Sequence, residues 1–84
     1  MRTGGKIVEF MVQYEIFVKG KWHPVVRYDT SHGYAHRDLI HADGRKEKSE
    51  LLFKDLNICL TYAENDLRAN WKSYKERFLK EAIK

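Results

Sequence analysis

The sequence has one cysteine, one proline and no long apolar run, and each scarcity excludes a class of protein. The single cysteine, Cys59, excludes a disulfide within the chain, and its apolar helical surroundings predict a small buried hydrophobe. No stretch reaches the roughly 18 apolar residues that cross a bilayer. Residues 1–5 carry no apolar segment of a secretion signal. We therefore expect a cytoplasmic protein with no membrane contact.

What is present indicates one small folded domain. A chain of 84 residues is too short for two cores, and 43% apolar residues with 13% aromatics argue against disorder. A core of this size contributes only about 3 to 5 kcal/mol, so self-association is expected. The formal charge of +4 favours an anionic partner such as RNA.

The first half of the chain has the period-two alternation of β-strands. In residues 7–19 one face carries only apolar side chains: Val8, Phe10, Val12, Tyr14, Ile16 and Val18. A turn at Lys19-Gly20-Lys21 leads into a second strand, residues 22–28, which predicts a hairpin. On that strand we expect Trp22, Pro24, Val26 and Tyr28 to face the core. Pro24 cannot donate to a sheet ladder, which indicates an edge or a strand end.

Two further segments complete the predicted sheet. Residues 34–41 form a third candidate strand, whose odd-numbered and even-numbered residues face opposite sides of the sheet. We choose the odd-numbered residues as the inward-facing ones: Ala35, Arg37, Leu39 and His41. The facing is ambiguous because either choice buries a charged residue. Residues 45–52 are a short fourth strand or the lead into the helix, and the charges at residues 46–48 suggest a solvated edge.

The pattern becomes helical from Asp55 onward. Apolar residues recur at spacings of four and three and form one stripe: Leu56, Leu60, Ala63, Leu67, Trp71, Tyr74, Phe78 and Ala82. Asp55 is the predicted N-cap. The sequence therefore predicts an α+β fold, a three- to four-stranded antiparallel β-meander (residues 6–52) followed by one long C-terminal helix (residues 55–83) packed on one face. Residues 1–5 are expected to be disordered.

Eight polar or aromatic residues crowd into fifteen positions around one hairpin connection: Arg27, Tyr28, Asp29, His32, His36, Arg37, Asp38 and His41. Histidines can move protons near neutral pH, and arginine can hold a phosphate with two hydrogen bonds. In RNA the 2′-hydroxyl supplies the nucleophile, so a base, an acid and a cation are sufficient for cleavage. We assign candidate catalytic roles to Arg27, Asp29, His36 and His41, and candidate binding roles to Tyr28, His32 and Arg37.

Two other interpretations of the same residues stay open. Arg27 and Asp29 lie on one strand face and could belong to a structural ion-pair network. His36 and Asp38 also share a face, and His32 or His41 could complete a three-ligand metal site. The usual zinc spacings are absent and residues 4–6 lack a complete phosphate loop, so we expect no metal and no cofactor.

The segment Val25-Val26-Arg27-Tyr28-Asp29, followed by a histidine-bearing connection and strand, resembles the small TumE-like proteins of prokaryotic toxin–antitoxin operons. The resemblance covers residues 14–42 and matches position by position at Arg27, Tyr28, Asp29 and His36. It implies a compact β-sheet protein with a terminal helix, a toxin with RNA-directed activity and an antitoxin-like partner. The histidines depart from the family pattern, since here they are spread over His32, His36 and His41.

Two functions from different classes follow. The first is a toxin-like domain that binds or cleaves RNA, and an enzyme of this kind would be a metal-independent endoribonuclease. The second is a non-enzymatic protein-interaction module or homodimeric structural protein. A homodimer is expected because five apolar residues fall on the predicted face opposite the helix: Ile7, Met11, Phe17, Val25 and Ile40.

Overall fold

The computed structural model of the protein describes residues 2–3, 6–7, 9–30, 34–53 and 55–83. Its elements along the chain are β1 Arg2–Thr3, β2 Lys6–Ile7, β3 Met11–Val18, β4 Lys21–Asp29, β5 Ala35–Ile40, β6 Lys46–Leu51 and α1 Leu56–Ala82. Strands β3 to β6 form one antiparallel sheet in the order β3-β4-β5-β6. The predicted α+β fold, a meander followed by one C-terminal helix, is confirmed, and residues 46–51 are its fourth strand.

A separate pair of short strands lies at the N-terminal end of the chain. Strands β1 and β2 are antiparallel, with Arg2 opposite Ile7 and Thr3 opposite Lys6. We expected disorder in residues 1–5, and two of them instead form β1. The other three, residues 1, 4 and 5, lie outside the described residues.

The hairpin between β3 and β4 turns on two residues with positive φ. Lys19 has φ 53° and Gly20 has φ 82°. Two successive left-handed residues make the type I′ turn, whose twist matches that of the flanking strands. The ammonium group of Lys19 also donates to the carbonyl of Ala82 at the end of the helix, over 3.2 Å.

A β-bulge in β4 changes which of its residues face the helix. Tyr14 pairs with Val26 and Glu15 with Pro24, so Val25 is an extra residue between them. Because of the bulge, Val25 packs with Phe78 of the helix, and Val26 also lies in the core.

Two expectations for β4 are therefore wrong. Val25 does not lie on the face opposite the helix, since it is fully buried in the core. Trp22 does not face the core, since it is exposed, while the neighbouring His23 ring packs against Phe78. Both differences have one cause, because the bulge shifts the alternation by one residue. Pro24 lies beside the bulge, in the part of β4 that has no register partner on β5 among the described residues.

The helix packs along one face of the sheet through two core clusters. Asp55 caps its first turn by accepting a 2.7 Å hydrogen bond from the backbone N–H of Asn57, as predicted. Cys59 is fully buried, which confirms its role as a small core residue. Trp71 differs from the expectation, because it is 41% exposed and lies at the margin of the apolar stripe. Within the described residues, no helix combines the length and the apolar character that crossing a membrane requires.

Strand β5 has its odd residues toward the helix, as chosen from the sequence. Arg37 reaches Tyr74 of the helix, and His41, which follows the strand, reaches Glu81. The even residues His36, Asp38 and Ile40 face the other way and are also buried. Ile40 was expected to be exposed, and it is not, because β5 is a central strand with a neighbour on each side.

We predict that Gly20→Ala lowers the free energy of unfolding by about 1 to 2 kcal/mol, because a Cβ disfavours the left-handed conformation of this turn. Nothing lies within 4 Å of the added Cβ, so the cost is one of backbone conformation. Denaturant unfolding measures it. The control is Lys21→Ala at the next, exposed position, which should change stability by less than about 0.5 kcal/mol. Equal stability of Gly20→Ala and the parent protein would contradict the assigned turn.

Candidate functional site

The sheet divides the polar cluster of residues 27–41 between its two faces. Neighbouring residues of a strand point to opposite sides of the sheet, so side chains that are adjacent in sequence lie on different faces here. Arg27, Asp29, His36 and Asp38 lie on the face away from the helix, which we call the outer face. Tyr28, Arg37 and His41 lie on the helix side. His32 lies outside the described residues.

Three buried residues meet on the outer face, and we call them the outer cluster: Asp29, His36 and Asp38. Asp29 and His36 are cross-strand partners, and the Asp29 Oδ1 to His36 Nε2 distance is 2.7 Å. One side-chain donor atom from each of the three residues lies within 4.8 Å of the other two. Asp29 is 8% exposed, His36 2% and Asp38 5%, and the ring of Tyr34 packs against that of His36. The cluster therefore places two carboxylates and an imidazole in a nearly dry environment.

Arg27 lies on the same face, but its side chain forms its hydrogen bond toward β3, away from the outer cluster. Its Nε donates to Oε1 of Gln13 on β3 over 2.8 Å, and the amide of Gln13 donates in turn to Glu15 over 2.7 Å. Asp38, the cross-strand partner of Arg27 on β5, has a buried Oδ1 that accepts no hydrogen bond. The guanidinium is thus turned toward the sheet edge and away from the outer cluster.

A second polar group joins the sheet to the helix through Asp66. Its carboxylate accepts hydrogen bonds from the hydroxyls of Tyr28 and Tyr74, the latter at 2.6 Å, and from the amide of Asn70 at 2.9 Å. Arg37 donates to the Tyr74 hydroxyl over 3.4 Å. Burial raises the pKa of Tyr28, and its bond to Asp66 raises it further. Burial opposes ionisation of Asp66, but its three hydrogen bonds lower its pKa.

Sequence reasoning missed the helical half of this network. Asp66 and Asn70 stand eight and four positions before Tyr74 of the apolar stripe, which puts both on the side of the helix next to that stripe. That spacing was the available signal, because a polar residue next to the buried stripe has to find partners on the sheet. With those partners, Tyr28 and Arg37 serve as parts of the helix–sheet contact.

His41 is held between two acidic residues at the end of β5. Its Nδ1 lies 2.7 Å from Glu81 Oε2, and its Nε2 contacts the carboxylate of Glu47. Glu81 also accepts from Arg77 at 3.2 Å and from the backbone N–H of Ala42 at 3.1 Å. The hydrogen bonds to Glu81 and then Glu47 raise the pKa of His41, although burial opposes the charged form.

The four residues assigned catalytic roles are not brought to one place. Asp29 and His36 meet on the outer face, whereas His41 lies on the helix side. A base and an acid on opposite sides of a sheet cannot act on the same phosphodiester. What the fold brings together instead is Asp29 and His36 with Asp38, which the sequence placed only as a possible metal ligand.

Comparison with known proteins gives a family without an assigned activity. A family model described as "Domain of unknown function (DUF7718)" matches residues 1–84. Neither a curated protein nor a solved structure matches the chain. The resemblance to TumE-like toxins stays a prediction.

We predict that His41 titrates above about 6.5, its ordinary pKa, and that Glu81→Gln moves that pKa down. When the pKa of a histidine is higher in the folded state than in the unfolded state, its protonation stabilises the fold. This contribution is complete at pH values below the unfolded-state pKa, and it is lost as the pH rises through the folded-state pKa. The stability advantage of the parent over Glu81→Gln should therefore shrink above about pH 6.5. NMR titration of the imidazole and denaturant unfolding across this range measure the two effects.

The matched control is Glu50→Gln, which removes a carboxylate from the outer face of the neighbouring strand. It should leave the titration of His41 unchanged, because Glu50 is the cross-strand partner of His36 and faces away from His41. An unchanged midpoint in Glu81→Gln would show that the Glu81 contact does not hold the proton.

Proposed function

The chain belongs to the DUF7718 family, whose function is unknown, and we propose that it is a non-enzymatic interaction module that forms a homodimer through β3. One observation carries this proposal: Met11, Phe17 and Trp22 are between 59% and 63% exposed on the outer face. The rings of Phe17 and Trp22 pack edge to face with centroids 5.3 Å apart, so they form one surface. Exposed apolar surfaces of this kind commonly mark interaction sites.

The two edge strands of the sheet differ in charge. Strand β3 reads MVQYEIFV and has one charged residue, Glu15, in eight positions. Strand β6 reads KEKSEL and has four charges in six positions. Within the described residues β3 pairs only with β4, so its other side is free to accept a strand. Charges on an edge discourage strand pairing, which makes β3 the edge suited to association.

The sequence of β3 is complementary to itself in the antiparallel direction. If two copies pair about a twofold axis at Tyr14, Met11 lies opposite Phe17 of the second copy on the outer face. Gln13 then lies opposite Glu15, which pairs an amide donor with a carboxylate. The same register places apolar residues opposite each other on the helix side. A second copy is therefore the partner that the strand itself specifies.

If the protein is a dimer, we expect size-exclusion chromatography with light scattering to give a mass of about twice the 10.0 kDa of the chain. Met11→Lys and Phe17→Glu should each shift the protein to the monomer without loss of helical circular dichroism, because both change only exposed side chains of the proposed interface. Leu52→Lys, at a residue that is 87% exposed outside this surface, should leave the dimer intact. A monomer at high micromolar concentration, or a dimer that survives both β3 substitutions, would reject the proposal.

RNA binding is the second candidate, and a different surface favours it. Arg68, Trp71, Lys72 and Lys75 fall on one side of the helix, and all four are exposed. The Lys72 ammonium lies 5.5 Å from the Trp71 ring centroid. Cations beside an exposed aromatic ring are the combination that holds single-stranded nucleic acid through phosphates and base stacking.

This second proposal includes what the TumE-like resemblance implies: a toxin-like role with an RNA target and an antitoxin-like partner, in the cytoplasm of a prokaryote. It leaves out RNA cleavage by the predicted catalytic set. His36 and His41 lie on opposite faces of the sheet, so the proton transfers that cleavage needs have no shared site.

We predict that the double change Arg68→Glu and Lys72→Glu weakens binding of a labelled single-stranded RNA by roughly ten-fold or more at low salt, because two phosphate contacts are lost and repulsion is added. Fluorescence anisotropy measures the affinity. The double change Lys46→Glu and Lys48→Glu on β6 alters net charge equally and should have a much smaller effect. Equal losses of affinity in both double variants would mean that only the overall charge of the protein matters. If the parent protein shows no salt-sensitive RNA binding, RNA binding is rejected as a function.

A further inference from the structure

We propose that the outer cluster, Asp29, His36 and Asp38, binds one divalent transition-metal ion. The three residues come from the adjoining strands β4 and β5, whose pairing places His36 directly opposite Asp29. His36 and Asp38 are two apart on β5 and so share the outer face. One donor atom from each residue lies within 4.8 Å of the others, so a small displacement lets all three reach one ion.

The donor set suits zinc or a neighbouring transition metal. An imidazole nitrogen and two carboxylate oxygens are all known zinc ligands, and three protein ligands with water in the fourth position are a common arrangement. At metal–ligand distances of about 2.0 to 2.2 Å, tetrahedral donors lie roughly 3.4 Å apart. The present 2.7 Å between His36 Nε2 and Asp29 Oδ1 is a hydrogen bond, which would open slightly as the metal takes the place of the shared proton.

Asp38 gives an independent indication that the outer cluster binds a cation. It is 5% exposed, and its Oδ1 is buried with no hydrogen-bond partner. A buried carboxylate oxygen without a partner is costly, and a bound cation is one way to satisfy it. The basic residues that flank Asp38 across the sheet are Arg27 and Lys48, but Arg27 donates to Gln13 and Lys48 is exposed. Among the described residues, neither forms an ion pair with it.

The ligands are separated in a way that hides the site from the sequence. Asp29 lies seven positions before His36, across the connection between β4 and β5, and this matches no helical or loop spacing of a zinc motif. Only the strand register brings the three residues together. The sequence suggested His36 and Asp38 with His32 or His41, and the structure assigns Asp29 as the third ligand in their place.

The test uses the full chain, freed of metal with a chelator, and Zn²⁺ alone as the probe. Isothermal titration should show one ion bound per chain, and Co²⁺ should give the visible absorption of a protein-bound ion with nitrogen and oxygen ligands. Asp38→Asn and His36→Gln should each weaken Zn²⁺ binding by roughly ten-fold or more, since loss of a supporting residue alone has that effect. Asp43→Asn is the control, because it makes the same chemical change at an exposed turn residue paired with Arg45.

Circular dichroism of each variant without metal separates loss of the site from loss of the fold. If His36→Gln does not fold, Asp38→Asn decides the matter, since asparagine keeps the shape of the side chain but replaces one carboxylate oxygen with an uncharged amide nitrogen. Saturable binding of one Zn²⁺ that Asp38→Asn weakens and Asp43→Asn does not would support the site. Absence of saturable binding, or binding that both Asp→Asn variants retain equally, would overturn it and leave Asp29 and His36 as a structural pair.

Discussion

The described part of the chain has one long helix packed on a four-stranded sheet, and one helix can cover only one face of a sheet. On the covered face the strands contribute apolar residues to two core clusters with Phe78 and Ala63. Asp66 adds a polar contact at the centre of this face, because its carboxylate accepts donors from a strand and from the helix itself. The uncovered face has to be stabilised differently. That face carries the buried polar residues of the outer cluster, and it has exposed aromatic residues near the β3 edge.

The sequence predicts the helix and the first hairpin, because each depends on local periodicity or turn chemistry. The facing of β5 is ambiguous in the sequence, since either choice buries a charged residue. The alternation in β4 misleads, since a bulge adds one residue and the pattern alone cannot show where it is added. Val25 and Trp22 are misplaced for that reason. Trp71 is misplaced for a different reason. The helical period identifies an apolar stripe but does not give the width of the stripe, and the Trp71 ring lies at the margin of the stripe.

The candidate site shows a different limit of sequence reasoning. Crowding of polar residues along a strand suggests one site, but the pleat sends alternate residues to opposite faces. Tyr28 and Arg37 thereby become parts of the helix contact, and His41 lies between the carboxylates of Glu81 and Glu47. The outer cluster depends on the register between β4 and β5, which no local pattern records. The sequence placed His36 and Asp38 on one face, but it did not group Asp29 with them.

The charged edge strand β6 also sets a limit on the size of any assembly. A sheet that can be extended at both edges polymerises, because each added chain offers a fresh edge to the next. If the protein associates through β3, as proposed, a twofold dimer uses both copies of that edge. The outermost strands are then the two copies of β6, each with Lys46, Glu47, Lys48 and Glu50. In such a dimer the charged β6 edges would block further strand addition at both ends, so the proposed assembly would stop at two chains.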